Sequence, residues 1–322
     1  MNRTTLLVAA SIGLMGAALQ PAWSANVKIT PLGAIDGEFC VLDRAMVFED
    51  PNGTRILYDA GRTVRGPNDP RLGKIDGVLL SHVHADHLGD MHPSKANMGQ
   101  CGHPKFDVKD IPSSNTEKIV VAKKAKFFVA GETNSLFGVR IPAAGGSKKQ
   151  LVILRAGAST KLNGVSIWGV PAVHPDGLSP EFLTGNLAKE MKAAGLTAYV
   201  GLASGFVLRF TNGLTVYLSG DTGVTAAQDV VVRRQLHANL AVINIGNVYT
   251  TGPTEAAYVI NELVKPNSVI PSHANQASTK DGKVIPGSKT AQFIAAVKVP
   301  AHVPLSGKTM EFDGTGKCVG GC

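Results

Sequence analysis

The sequence predicts a layered α/β sandwich, with strands within and helices outside, folded as one domain with two similar halves. Two observations carry that expectation. Asn-Gly pairs at 52–53, 163–164 and 212–213 each precede a β-rich run, and Asn-Gly is the strongest short hairpin signal. Several other segments carry an apolar face at helical spacing between cap residues. No repeat, low-complexity block or linker divides the chain, and about 300 residues suffice for one large core.

Taken in order, the apolar runs share an ending. Residues 54–58 lead to Asp59, 77–80 to Ser81-His82, 165–173 to His174, 214–219 to Asp221, and 268–271 to His273. Ligand-type side chains thus gather where α/β proteins place their sites, beyond the carboxyl ends of strands. Among the helices, Gly252-Pro253-Thr254-Glu255 opens one, with Pro at its first position and Glu placed to reach the cap. Ala256, Ile260, Leu263 and Val264 give it an apolar face, and Pro266 closes it. A second is expected over 288–298. A third, over 179–192 with Gly195 after it, follows His174 directly.

The densest chemistry is Ser81-His82-Val83-His84-Ala85-Asp86-His87. In an extended stretch alternate side chains point the same way, so His82 and His84 face one point. Asp86 and His87 come one turn later and face a second. Four ligand-type side chains in six residues point to a two-metal site.

Residues 1–24 have the form of a secretory signal: Arg3, an apolar run over 6–19, then Ala22-Trp23-Ser24 as a small-x-small cleavage site before Ala25. The expectation is a periplasmic or secreted bacterial protein with its working domain over 25–322. No later segment is long and apolar enough to span a bilayer, so no stable membrane insertion is expected after cleavage. The formal charge is +8. Basic pairs such as Lys123-Lys124 and Lys148-Lys149 are scattered and lack aromatic interleaving, which argues for a small-molecule substrate and against a nucleic-acid groove. Cys40, Cys101, Cys318 and Cys322 can pair in three ways. The least contorted set is Cys40–Cys101 with Cys318–Cys322.

Together, His82-x-His84-x-Asp86-His87, His174, Asp221 and His273 resemble the metallo-β-lactamase fold superfamily, and Tyr58-Asp59-Ala60-Gly61 resembles its first, non-ligand aspartate motif. The resemblance covers almost the whole chain after the signal. It implies an αββα sandwich with a metal groove along one edge. It also implies His82, His84 and His174 around one metal, Asp86, His87 and His273 around a second, Asp221 bridging them, and Asp59 as support behind the ligands. Such imidazoles and carboxylates suit zinc, with manganese or iron as competitors. Two divalent ions sharing Asp221 would share a bridging hydroxide able to attack a carbonyl or a phosphorus, with Asp86 orienting it. The stretch from Ile245 to Ala257, followed by Lys265-Pro266 and Val269-Ile270-Pro271-Ser272-His273, is similar to the ascorbate-6-phosphate lactonase-like branch. That similarity implies a hydrolase of a lactone or related ester-type bond. Phosphodiester and β-lactam hydrolysis are alternatives on the same site, and a non-catalytic metal-binding module is the alternative of another class.

The remaining assignments are plainer. His92, His103, His237 and His302 lie outside any ligand motif and are expected at the surface or in caps. Trp168 is expected in the core. Residues 175–204 start at the groove's rim and are expected to choose the substrate, with Leu183, Leu187 and Met191 as an apolar helix face. Leu183, Tyr199 and Tyr249 are the candidate substrate contacts.

Overall fold

The computed structural model describes residues 25–322; the expected export signal, 1–24, lies outside the described residues. Two sheets form the interior. The first has eight strands in the order Leu151–Ile153, Lys126–Val129, Gly77–Leu79, Arg55–Tyr58, Met46–Glu49, Val27–Pro31, Met310–Phe312 and Cys318–Gly320. The second has six: Ser159–Leu162, Val165–Pro171, Ser204–Arg209, Thr215–Leu218, Leu240–Asn244 and Ser268–Ser272.

The three Asn-Gly pairs turn antiparallel hairpins, joining Met46–Glu49 to Arg55–Tyr58, Ser159–Leu162 to Val165–Pro171, and Ser204–Arg209 to Thr215–Leu218. At the second turn Asn163 and Gly164 both take positive φ, 46° and 97°. The amide–glycine pair tolerates that region, so its twist matches the strands it joins.

Alternation along the strands builds three cores. Phe48, Ile56 and Phe128 of the first sheet meet Ile167, Leu208 and Val242 of the second between the sheets. Leu57, Val78 and Phe127, on the first sheet's other face, pack on Ile119 and Val120 of the helix Asn115–Lys123 and on Phe137 and Ile141 of Gly131–Ala143. Tyr217, Ala241 and Val269, on the second sheet's outer face, pack on Ile260 and Phe293 of the opposite helices. The result is the four-layer αββα order. Each fully buried Leu, Ile, Val or Phe contributes about 1.5–3 kcal/mol relative to exposure.

The helix opened by Pro253 runs through Tyr258 and continues in wider π-type turns to Val264, where Lys265 adopts φ 50° ahead of Pro266. Ser288 caps Lys289–Ala296 by accepting from the Ala291 amide. The helix expected over 179–192 is broken in two: a 3-10 turn, Pro180–Phe182, and then Gly185–Ala193. Between the pieces Leu183 and Thr184 are extended, and Phe182 marks the break. Its ring is buried in the core under the first sheet, and its carbonyl accepts from Arg140 Nη1 at 2.6 Å. The second piece buries no residue, and Leu187 is largely exposed.

Both disulfides are formed, Cys40–Cys101 and Cys318–Cys322. The first closes a separation of 61 residues, worth on the order of 4 kcal/mol in the chain-entropy account. Among the described residues no helix is long and apolar enough to cross a membrane.

Candidate metal centre

Both sheets deliver ligand-type side chains to one edge. His82 and His84 lie on the extended segment after Gly77–Leu79, and Asp86 and His87 on the short helical turn Ala85–Leu88. The second sheet supplies His174 beyond Val165–Pro171, Asp221 beyond Thr215–Leu218 and His273 beyond Ser268–Ser272. The Gly220 amide donates to Tyr58 Oη at 3.1 Å, tying the segment before Asp221 to the first sheet. Asn244 Nδ2 holds the Gly220 and Thr222 carbonyls on either side of Asp221 at 3.1 and 3.2 Å.

Asp221 Oδ2 is the meeting point. It lies 3.1 Å from His273 Nε2, 3.3 Å from His87 Nε2, 3.8 Å from His174 Nε2 and 4.0 Å from His82 Nε2. His174 Nε2 and His84 Nδ1 are 3.2 Å apart. Asp86 Oδ2 stands 3.5 Å from His273 Nε2 and 3.8 Å from His87 Nε2. At this edge three groupings have ligand atoms close enough for a shared cation: His82 with His84 and His174, Asp86 with His87 and His273, and, between them, His82 and His87 with Asp221.

Asp59 sets the tautomers behind these ligands. The Ser81 amide and hydroxyl donate to its two oxygens at 2.8 and 2.7 Å, and His87 Nδ1 donates to it at 2.8 Å. With the Ser81 proton spent on Asp59, His82 Nδ1 at 3.0 Å must donate to the Ser81 oxygen. His82 therefore turns a proton-free Nε2 toward Asp221, whereas on His87 Asp59 holds the Nδ1 proton and leaves Nε2 as the atom a cation would take in place of a proton. Hydrogen bonds at the far ring nitrogen orient metal-binding histidines in this way. His174 has the same arrangement, its Nδ1 donating to the Tyr249 carbonyl at 3.1 Å.

The residues fit divalent cations. His82 Nε2, His87 Nε2 and both His273 nitrogens are buried without a hydrogen-bond partner, a costly state for polar atoms unless something binds them. Burial and neighbouring histidines hold His82, His84 and His174 below the ordinary imidazole range, in the neutral form a metal requires. Burial would raise Asp221, but His273 and His87 outweigh it and keep the carboxylate ionised. His87 runs the other way. Burial opposes its charge, yet Asp221, Asp59 and Asp86 push it up to about 10. Three carboxylates around one imidazole make a field that calls for positive charge, which a cation on Nε2 would supply.

The pocket above these groups holds about 940 Å³ and is walled by Pro175, Gly177, Ser179, Asn247, Val248 and Tyr249. Tyr249 lines it and is 77% exposed. Leu183 and Tyr199, expected beside it, line two other surface grooves. The break after Phe182 turns Leu183 toward the core under the first sheet, while Tyr199 is 67% exposed on a short strand paired with Gly177–Leu178. Of the outlying histidines, His92 is buried, bonded to Asp110 at 2.6 Å, and not at the surface. His302 is half-buried with its ring edge-on to Phe312. Trp168 packs partly buried on the second sheet's outer core, with Arg209 over its ring.

Two contributors had no sequence signal. Ser81 lies inside the histidine motif but looks like a linker residue. Arg44 comes from a loop far upstream and ion-pairs with Asp86, its side chain only 2% exposed. Its Nε and Nη2 have no partner among the described residues.

A family model described as a β-lactamase superfamily domain matches residues 54–274. The metal-dependent hydrolase of Polynucleobacter asymbioticus is 26% identical over 318 residues, covering 95% of this chain and 94% of its own. That of Cupriavidus necator is 26% identical over 321 residues, with 95% and 98% covered. Among solved structures, a metallo hydrolase from the archaeon Ignicoccus hospitalis superposes with a TM-score of 0.59 at 21% identity, over 89% of this chain and 99% of its own. An isothiocyanate hydrolase from Delia radicum gut bacteria superposes at 0.54 and 16% identity, with 89% and 99% covered. Fold, ligand set and family match agree: the chain belongs to the metallo-β-lactamase superfamily, as one of its metal-dependent hydrolases.

Proposed function

We propose that this hydrolase holds two divalent cations, zinc foremost, and cleaves a lactone or related ester-type bond. The carrying observation is Asp221 Oδ2, within 4.0 Å of imidazole nitrogens from both outer groupings. Cations bound there lower the pKa of water and polarise an acyl oxygen. The chain's own residues do the rest. Asp86 is held well below the usual carboxylate range, since Arg44, His87 and His273 outweigh its burial. It can therefore accept a hydrogen bond from the attacking water and fix its direction. Asp59 keeps His82 and His87 in one tautomer each, and the Tyr249 carbonyl does so for His174.

No protein nucleophile is needed. Ser81 Oγ lies beside His82, but it is buried and its proton goes to Asp59. Water adds to the acyl carbon, the ring C–O bond breaks, and a hydroxy acid leaves.

The lactone reading draws support from the 245–257 segment, which supplies Asn247, Val248 and Tyr249 to the pocket wall. The form of residues 1–24 and the two disulfides support work outside the cytosol. The test is a screen of zinc-loaded protein against γ- and δ-lactones, thioesters, β-lactams and phosphodiesters. Lactone turnover abolished by Asp221→Asn is expected. Turnover of phosphodiesters or β-lactams alone would replace this reading.

A further inference from the structure

Part of the lining of the metal pocket is built from nitrogen donors. Lys289, the first residue of Lys289–Ala296, lines the pocket together with Asn247 and Asn275. Its ammonium donates to the Gly246 carbonyl, which leaves two of its three N–H groups unspent. No carboxylate pairs with Lys289 among the described residues, although its setting is desolvated enough to hold it below the ordinary lysine value. The side-chain amides of Asn247 and Asn275 have no hydrogen-bond partner among the described residues either.

These groups are held by the backbone. Asn275 takes φ 54°, and His273, two residues earlier, takes φ 49°. A Cβ at Gly246 would stand 2.5 Å from the His273 carbonyl oxygen and 2.6 Å from Asn275 Nδ2. Only glycine lets the Asn275 amide lie over position 246 while Lys289 grips the carbonyl of that same residue. The ligand His273 and both donors are thus fixed to one point of chain.

We propose that Lys289 and Asn275 form a subsite for a carboxylate carried by the substrate, so that the enzyme selects lactones or esters bearing one anionic substituent. This rests on the ester reading above. A single ammonium flanked by neutral amides, with no guanidinium fork, suits a singly charged carboxylate better than a dianionic phosphate. The formal net charge of +8 favours approach of an anionic substrate.

The test compares a γ-lactone bearing a ring carboxylate with its methyl ester, on zinc-loaded protein. The wild type should favour the acid in kcat/KM by about tenfold, the scale of one charge-assisted hydrogen bond. Lys289→Met should bring that ratio close to unity, Lys289→Arg should keep most of it, and Asn275→Asp should invert it by adding a like charge. A second arm reads binding without turnover. Pyroglutamate, the lactam analogue, should bind the wild type about tenfold more tightly than pyroglutamide in calorimetry, and equally to Lys289→Met. If neither lactone is cleaved while pyroglutamate still discriminates, the ester reading falls and the subsite stands. Equal handling of acid and neutral ligands by the wild type, or a preference that survives Lys289→Met, overturns the subsite.

Discussion

Arg44, its side chain 2% exposed, ion-pairs at the edge of the metal centre with Asp86, whose side chain is 28% exposed, through the same Asp86 oxygen that faces His87 and His273. Removing Arg44 strands a partly solvated carboxylate, at about 1–3 kcal/mol, below the cost for a fully buried pair. Arg44→Met should therefore destabilise the chelated protein by roughly that amount. Zinc should restore much of the loss, since a bound cation takes over the orphaned carboxylate. Thermal unfolding with and without chelator checks this. An equal loss in both conditions would show that Arg44 serves packing alone.

Asp221→Ala removes the one oxygen within 4.0 Å of four imidazoles. Metal content by elemental analysis should fall from about two per chain to roughly one or none, with activity lost. The circular dichroism spectrum should be unchanged. Wild-type protein that carries a single ion, equally retained by the variant, would end the bridging assignment.

Asp59→Ala leaves every ligand in place but frees the His82 and His87 tautomers. Zinc affinity should drop roughly 10- to 100-fold. Competition with a chromogenic chelator measures it, and an unchanged affinity would reduce Asp59 to a fold residue.

Asp43 gives a pH signature. Burial pushes its carboxyl up from 3.8 to about 6, against bonds from the Cys40 and Ala34 amides and the charges of Arg71 and Arg44. Between those values the folded chain keeps a proton that the unfolded chain has released. Stability therefore falls as pH rises from about 4 to about 6, by up to about 3 kcal/mol from this group. Asp43→Asn should flatten that part of the profile in urea unfolding. A profile identical to wild type would mean that Asp43 does not titrate there.

Leu183→Ala separates the expected contact from the observed one. Leu183 packs against the core under the first sheet and lines no part of the metal pocket. The change should cost about 2 kcal/mol of stability while leaving the ratio of kcat/KM for a small and a large lactone unaltered. A shifted ratio would return Leu183 to the substrate.

The candidate ligands were legible because each sits where an apolar run stops, and strand ends can be read from alternation and Asn-Gly turns. His82, His84, His174, Asp221 and His273 all follow that rule. What escaped depends on contacts across long separations. Nothing near Arg44 marks it as buried, because its partner Asp86 is 42 residues away. Lys289 reads as a helix-start lysine until Gly246 is seen beneath it. The contact at the broken helix escaped for a similar reason, since Arg140, 42 residues upstream, takes the Phe182 carbonyl.

Neither sheet carries a complete ligand grouping. His82, His84, Asp86 and His87 hang from the first, and His174, Asp221 and His273 from the second. Each grouping needs a residue from both, so the centre comes into being only when the two halves dock. Ions held there would act as rivets, and their uptake would report the last step of assembly. A chain still unfolded would have no such centre in which to ferry ions from one compartment to another, and loading would take place where the chain folds.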